Sequence, residues 1–189
     1  KYFEYDSKIY KDIHNLKEKI NKIDDLDTYS KEINILERKI TIFHAEIIDQ
    51  LNISDETIIG FHGQTIYHNP EKKISLQLGN GELLNQLTKK NIVFNFRNND
   101  ILNGGQGAPL TPVFHHLISI KNNIKLPVCF LNLGGISNIT IVKDKANLTQ
   151  LISKDIGPGN CLIDSWVRKN SNKKFDQDGN LASSGTKNE

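Results

Sequence analysis

The polar segment at residues 95–109 contains the side chain best suited to act as a catalytic base. It reads Asn-Phe-Arg-Asn-Asn-Asp-Ile-Leu-Asn-Gly-Gly-Gln-Gly-Ala-Pro, and Asp100 is the only acidic residue between Glu82 and Asp144. Three of the four residues at 104–107 are glycines, which let a backbone approach a ligand closely. We interpret the segment as a loop in which Asp100 accepts a proton. The sequence leaves open a plain turn in which Asp100 bonds neighbouring amides.

A second group of polar side chains follows the predicted strand at 57–61. His62 and Gln64 are expected to alternate at the edge of a sheet, and Arg97 follows the strand predicted at 92–96. Side chains of these types match pairs of sugar hydroxyls, so the segment is predicted to line a substrate cleft. The alternative is a half-buried histidine satisfied by backbone. No histidine pair has the spacing of a zinc site, so no metal site built from histidines is expected.

Two glycine-bearing turns, at 131–138 and 155–160, are candidates for phosphate contacts. Both can expose backbone N–H groups to phosphate oxygens. Neither has the spacing of a Walker loop or of a dinucleotide-binding turn. Taken alone, the first is equally consistent with a simple hairpin and the second with a helix entry capped by Asn160.

The periodicity of apolar residues predicts the elements that position these groups. Stripes with helical spacing run over residues 9–23 and 33–51, and further helices are predicted at 82–90, 111–121 and 161–169. Short β-branched runs predict strands at 57–61, 74–78 and 92–96, and a Gly-Gly hairpin joins 128–133 to 136–142. Trp166 and Phe175 are expected in the core. The order of elements predicts an α/β protein.

The composition excludes several classes of protein. With 37% hydrophobic residues and a net charge of +2 spread along the chain, neither disorder nor nucleic-acid binding is expected. Apolar runs are too short to cross a membrane and the N-terminus lacks a signal sequence, so a cytoplasmic location is expected. The chain contains no methionine and begins at Lys1, from which a fragment of a longer protein is expected.

Six motifs occur in one order and together resemble the anhydro-N-acetylmuramic acid kinase family. They are Ile-Gly-Phe-His-Gly-Gln-Thr at 59–65, Leu-Gln-Leu-Gly at 76–79, Phe-Arg-x-x-Asp at 96–100, Gly-Gly-Gln-Gly-Ala-Pro-Leu-x-Pro at 104–112, Leu-Asn-Leu-Gly-Gly-Ile-Ser-Asn at 131–138 and Asp-Ile-Gly-Pro-Gly-Asn at 155–160. The family is part of the sugar kinase, heat-shock protein 70 and actin superfamily.

The resemblance implies an actin-like (ribonuclease H-like) α/β kinase fold with two lobes, here incomplete. Residues 1–128 would form the remainder of the N-terminal lobe, with a catalytic loop at 95–112. Residues 129–189 would begin the second lobe, with a phosphate-loop hairpin at 131–142 and a loop and helix at 155–169. The family's first phosphate loop and C-terminal half are absent from this sequence, so the chain alone is expected to be inactive. Because members of the family form dimers, the full-length protein is expected to be a homodimer.

The resemblance also implies a reaction and its residues. Kinases of this family use ATP with Mg²⁺ to cleave the 1,6-anhydro bridge of anhydro-N-acetylmuramic acid with water and to phosphorylate O6, in cell-wall recycling. Asp100 would activate the water. The implied sugar-binding residues are His62, Gln64, Arg97, Gln106 and Gly107. The implied nucleotide-binding residues are Gly134, Gly135, Asn138, Asp155, Gly157, Gly159 and Asn160.

The sequence departs from the family pattern at Asn95, where an aspartate is usual. The change removes a negative charge five residues before Asp100 and bears on how Arg97 is held. Two other functions remain open at this point: an actin-like kinase acting on another sugar hydroxyl, and a non-catalytic domain that binds cell-wall sugars.

Overall fold

The computed structural model describes residues 1–146 and 150–186. The chain forms two compact units, Lys1–Ala108 and Pro109–Glu189. Helices and small sheets occur in both, which confirms the predicted α/β class. The lobes expected at 1–128 and 129–189 stay a prediction, although the compact units divide earlier in the chain than that boundary. Residues 147–149 and 187–189 of the expected second lobe lie outside the described residues.

The first unit consists of a helical layer and two small sheets. Its elements are α1 (Ser7–Lys19), α2 (Asp24–Thr28), α3 (Ser30–Gln50), β1 (Ile58–Phe61), β2 (Gln64–Asn69), β3 (Ile74–Leu78), α4 (Gly81–Thr88), β4 (Asn91–Phe94) and α5 (Phe96–Leu102). Strands β2 and β3 pair antiparallel, and β1 and β4 pair parallel.

The core of this unit lies between the two long helices and the β2–β3 sheet. The predicted helical stripes supply most of it, and the sheet adds the rest: Ile9, Ile13, Leu16, Ile20, Ile33, Leu36, Ile40, Ile66 and Leu78. Burying each aliphatic side chain contributes about 1.5–3 kcal/mol. The two amphipathic helices therefore hold the sheet whose ends position the candidate site.

Polar side chains fix where two of the helices begin. The Asp6 carboxylate accepts hydrogen bonds from Lys8 N and Ile9 N at 2.8 Å and so caps α1. The Asn80 side chain accepts from Leu83 N at 2.8 Å and caps α4. Asn80 N in turn donates to the buried Thr41 hydroxyl at 3.0 Å, which ties the start of α4 to α3.

Strand β2 was missed by the sequence interpretation, and this changes the place of Gln64. The chain does not continue as one strand beyond Phe61, because Gly63 adopts φ +69°, a conformation outside the extended region. Gln64 then begins β2 and pairs with Leu78 of β3. The predicted alternation of His62 and Gln64 across a sheet edge is not found, because His62 lies outside both strands and Gln64 begins β2.

Asp100 lies on a helix rather than on the predicted loop. Residues Phe96–Leu102 form α5, and strand β4 ends at Phe94, two residues before the predicted end. Between them Asn95 adopts the left-handed conformation with φ +60°. Asn tolerates this conformation far better than β-branched residues do, so Asn95 suits the sharp entry into α5. Ile101, 2% exposed, anchors the helix against the unit.

The second unit is a three-stranded antiparallel sheet with helices. Its elements are α6 (Thr111–Lys121), β5 (Val128–Leu133), β6 (Ile136–Val142), β7 (Ile152–Pro158), α7 (Asn160–Asn170), a 3₁₀ turn (Gln177–Gly179) and α8 (Asn180–Ser184). Strand β6 is central, and α6 and α7 both contact it. The predicted bounds of α6, β5 and β6 are confirmed, whereas the segment predicted as a turn before α7 is largely strand β7.

Two aromatic residues are not in the core, contrary to the prediction. Trp166 is 62% exposed on α7 and Phe175 is 50% exposed. The buried residue of α7 is instead Val167, which is 2% exposed. In the described part of the chain, no helix is both long enough and apolar enough to cross a bilayer.

Candidate functional site

Four predicted residues of the first unit form one hydrogen-bonded network. Arg97 Nε donates to His62 Nε2 at 3.0 Å, and Arg97 Nη1 donates to Gly107 O at 3.3 Å. Gly107 N donates to Asp100 Oδ2 at 2.7 Å. The end of β1, helix α5 and the glycine loop are thereby joined at one place. The sequence interpretation named all four residues without predicting that they contact one another.

The Asp100 carboxylate is held by the backbone through one of its two oxygens. Oδ2 accepts the Gly107 N–H, and the backbone carbonyl of Asp100 accepts from Gly105 N at 2.8 Å. In the described part of the chain, Oδ1 has no protein hydrogen-bond donor. A carboxylate held through one oxygen keeps its orientation while the other oxygen is free to accept a proton. This arrangement fits a general base.

The tautomer of His62 follows from its two partners. An arginine side chain only donates hydrogen bonds, so Nε2 must be the acceptor and the imidazole is neutral. Nδ1 then carries the proton and donates to Gly63 O at 2.9 Å. Both ring nitrogens of His62 are therefore engaged by the protein.

A cavity of about 330 Å³ opens beside His62 within the first unit. Its walls combine two phenyl rings with carboxylate and amide side chains, and His62 is the one lining residue that the sequence interpretation assigned to sugar binding. The additional lining side chains are Glu37, Phe61, Ser75, Leu76, Gln77, Asn80, Glu82, Phe94, Asn95 and Asn98. Apolar walls with a few hydrogen-bonding groups are typical of small-molecule sites, and amides and carboxylates bind sugar hydroxyls.

One residue of this lining, Gly79, could have been identified from the sequence. The Leu-Gln-Leu-Gly motif ends at Gly79, whose φ is +142° and whose added Cβ would lie 2.6 Å from the Phe61 ring. Glycine is required there because the turn presses against the ring. Glu37 carries no such signal, since on α3 it reads as an ordinary exposed helix residue.

The two predicted glutamines lie outside this network. Gln64 is partly buried at the start of β2, and Gln106 is exposed between Gly105 and Gly107. Neither side chain takes part in the His62–Arg97–Gly107–Asp100 network. Their assignment to sugar binding stays a prediction.

A larger cavity in the same unit contains none of the predicted site residues. It has a volume of about 610 Å³ and lies near the C-terminal ends of α3 and α4. Lys90 crosses its wall, donating to Ile53 O at 3.1 Å and to Asp55 Oδ1 at 2.5 Å. The smaller cavity is the better candidate site because only it adjoins the network.

In the second unit the structure brings the two predicted glycine turns together. Gly159 N donates to Gly135 O at 2.9 Å, and Asn160 N donates to Gly134 O at 2.7 Å. Strands β6 and β7 pair up to Ile136 and Pro158, so the hairpin turn and the start of α7 are adjacent. A Cβ added to Gly135 would meet no atom within 4 Å, so the outer side of the hairpin turn is open.

The structure changes the roles of Asn160 and of the α7 N-terminus. Gly159, not Asn160, occupies the N-cap position, and the Asn160 side chain donates to Leu133 O at 2.9 Å. The predicted cap is therefore wrong. The first N–H groups of α7 are already bonded to the carbonyls of the hairpin turn, Cys161 N to Gly135 O at 3.3 Å among them. The N–H groups of Gly159, Asn160 and Cys161 are therefore already used within the protein.

Three polar residues form a row across the sheet of this unit. Asn138 on β6 pairs directly with Asn132 on β5 and with Asp155 on β7. Directly opposed residues of antiparallel strands present their side chains on the same face. Asn132 was missed by the sequence interpretation, and its pairing with Asn138 follows from the Gly-Gly hairpin. Gly157 pairs with Ser137 nearby.

Metal ligands are sparse in this arrangement. In the described ranges, no group of three or more His, Cys, Asp or Glu side chains is placed to hold a metal ion. Magnesium in phosphate-transferring sites needs only one or two carboxylates besides phosphate oxygens and water. Asp155, with the amide oxygens of its row, satisfies that requirement.

Comparison with known proteins agrees with these features. A family model described as anhydro-N-acetylmuramic acid kinase matches residues 4–189. The protein of that name from Pelagibacter ubique (strain HTCC1062) is 56% identical over 189 residues, covering 98% of this chain and 50% of that protein. The one from Agrobacterium fabrum is 39% identical over 158 residues, covering 79% and 42%, and the one from Brucella canis is 39% identical over 159 residues, covering 80% and 42%.

The chain thus spans about half the length of the curated relatives it matches. The match to the family model nevertheless extends over almost the whole chain and includes all six motifs. The actin-like kinase fold class implied by those motifs is accordingly confirmed. The chain belongs to the anhydro-N-acetylmuramic acid kinase family.

Proposed function

We propose that the full-length protein is an ATP-dependent kinase that acts on anhydro-N-acetylmuramic acid. Water adds to the anomeric carbon, the bond from that carbon to O6 breaks, and O6 takes the γ-phosphoryl group. The products are N-acetylmuramic acid 6-phosphate and ADP. The reaction would take place in the cytoplasm during cell-wall recycling, and the full-length protein would be a homodimer.

The observation that carries the proposal is the environment of Asp100. A water molecule is a weak nucleophile until a base accepts its proton, and Asp100 Oδ1 is available for that step while Gly107 N–H holds Oδ2. The cavity beside His62 has the amide and carboxylate lining that a sugar requires, and His62 is linked to Asp100 through Arg97 and Gly107. Arg97, bonded to the glycine loop, keeps that loop beside the carboxylate.

Residues of the second unit suit the phosphate side of the reaction. Gly134 and Gly135 form an open turn that a phosphate can approach closely. The backbone N–H groups of Gly159 and Asn160 hold this turn by donating to its carbonyl oxygens. Asp155 and Asn138 would hold the magnesium ion that accompanies ATP. When bound, magnesium neutralises charge on the phosphate oxygens and on the transferring group.

The test is a phosphate-transfer assay on the full-length protein with wild type and Asp100→Asn. Asparagine retains an oxygen that can accept the Gly107 N–H, so the fold should be unchanged while the base is lost. We expect the variant to lose about 10²–10⁴-fold in kcat, the range typical of general-base removal. Product is identified by mass spectrometry as the 6-phosphate with one added water.

Three outcomes would contradict parts of this proposal. An active Asp100→Asn variant would exclude Asp100 as the base. Phosphorylation of other sugars without ring opening would indicate a kinase of a plain hydroxyl. Sugar binding without any phosphate transfer by the intact wild type would indicate a non-catalytic sugar-binding protein.

A further inference from the structure

We propose that His62 is a positioning residue: its neutral imidazole orients Arg97, and Arg97 in turn holds the glycine loop against Asp100. The inference rests on the proposed function, because it assigns His62 a part in setting the catalytic geometry. It replaces the expectation that His62 contacts the sugar directly.

The hydrogen-bonding capacity of the imidazole leads to this role. Each ring nitrogen takes part in one hydrogen bond, Nδ1 with Gly63 O at 2.9 Å and Nε2 with Arg97 Nε at 3.0 Å. A neutral imidazole has one donor and one acceptor, so no polar atom of the ring remains for a sugar hydroxyl. His62 therefore lines the cavity edge without a free group to bind its ligand.

A backbone hydrogen bond next to His62 orients the imidazole ring independently of Arg97. Gly63 turns the chain with φ +69°, and a Cβ there would lie only 3.0 Å from the carbonyl carbon of Leu78. The Gly63 carbonyl that accepts the Nδ1 proton is thus set by a tight turn between β1 and β2. That bond selects the tautomer whose Nε2 faces Arg97 as an acceptor.

The orientation passes from His62 to the carboxylate in two further contacts. Arg97 is always protonated and its planar group fixes the relative directions of Nε and Nη1. With Nε held by His62, Nη1 donates to Gly107 O at 3.3 Å. Gly107 then uses its N–H to bind Asp100 Oδ2 at 2.7 Å. Loss of the first contact releases the guanidinium and, through it, the loop.

Two matched substitutions of His62 test the role in the full-length enzyme. His62→Gln places an amide oxygen near the position of Nε2 and keeps an acceptor for Arg97. His62→Asn has its polar atoms near Nδ1 and cannot reach Arg97. We expect His62→Gln to keep kcat within about threefold and His62→Asn to lower it about 10- to 100-fold, with KM for the sugar nearly unchanged.

A double-mutant cycle identifies the residue through which His62 acts. If His62 acts only by orienting Arg97, the double variant His62→Asn/Arg97→Ala loses no more activity than Arg97→Ala alone. Additive losses with a raised KM would instead make His62 a direct sugar ligand and overturn the proposal. Equal activity of His62→Gln and His62→Asn would overturn it as well.

A measurement independent of catalysis separates this inference from the proposed function. Nitrogen-15 NMR of the full-length protein should show His62 protonated on Nδ1 and accepting on Nε2, and Arg97→Ala should shift the Nε2 resonance. If the wild type transferred no phosphate but showed this pattern, the proposed function would fail while the His62–Arg97 contact stood. A doubly protonated or Nε2-protonated ring at neutral pH would refute the contact itself.

Discussion

Substituting Gly105 by alanine should displace the Asp100 carboxylate without altering the backbone. Gly105 does not require a left-handed conformation, so alanine fits its backbone. Its added Cβ, however, would lie 2.5 Å from Asp100 Oδ1 and closer still to Oδ2 and Cγ. An ordinary contact needs at least 3.4 Å, so the carboxylate must move by about 1 Å, and a displacement of that size costs about 100-fold in rate.

The same displacement has a stability cost that can be measured separately. Asp100 would give up the bond from Gly107 N, which is 2.7 Å long and part-buried. Bonds to charged groups contribute about 1.5–3 kcal/mol, and partial exposure lowers this to about 1–2 kcal/mol. Denaturant unfolding and the phosphate-transfer assay on full-length Gly105→Ala therefore report two consequences of one movement.

The adjacent glycine provides a matched control. A Cβ on Gly104 would meet nothing within 4 Å, but its φ of +90° strains any other residue. Gly104→Ala should therefore cost about 1–2 kcal/mol of stability through the backbone and leave Asp100 in place. We expect near wild-type kcat for Gly104→Ala and a loss of about 100-fold for Gly105→Ala. Wild-type kcat in Gly105→Ala, or equal losses in both, would refute the assignment of the effect to Asp100.

Two further predictions concern other parts of the chain. Gly159→Ala places a Cβ 2.8 Å from Ser137 Oγ and closer to Gly134 O, so it should lower the free energy of unfolding by about 1–3 kcal/mol in a denaturant titration. Gly135→Ala has open space around the added Cβ and should change the free energy of unfolding by less than about 0.5 kcal/mol. Burial lowers the pKa of His44, opposed by the bond between its Nδ1 and Ile40 O, so the unfolded state binds the proton more readily. The His44 contribution to stability should be constant above about pH 7 and fall as the pH drops below about 6.5, a loss that His44→Gln should reduce and the exposed His14→Gln should not.

The elements that were predicted correctly are those whose local signals and tertiary contacts agree. Helix α6 begins at Thr111, with Pro112 in its first turn where a missing N–H has no cost. Strands β5 and β6 are β-branched runs joined by two glycines, and neighbouring antiparallel strands need no distant partner to define their bounds.

The elements that were missed depend on contacts outside their own sequence. Helix α5 has seven residues and includes two asparagines, Asn98 and Asn99, so neither length nor propensity predicts it. Burial of Ile101 and the left-handed Asn95 hold it in place. Strand β2 contains one buried residue, Ile66, and exists because β3 pairs with it. Patterning within a single segment cannot show either effect.

The candidate site was predictable as a set of residue types because sterics restrict which residues fit around Asp100. A side chain at position 105 would collide with the Asp100 carboxylate. At position 107 an added Cβ would lie 2.8 Å from Ile101 Cδ1, and the φ of +70° also favours glycine. Gln106 lies between them, exposed and under neither restriction. Glycines five and seven residues after the aspartate therefore indicate, in the sequence, that the loop backbone packs closely around Asp100 and its helix. The partner of His62 leaves no such trace, because Arg97 meets it only after β1 and α5 are in place.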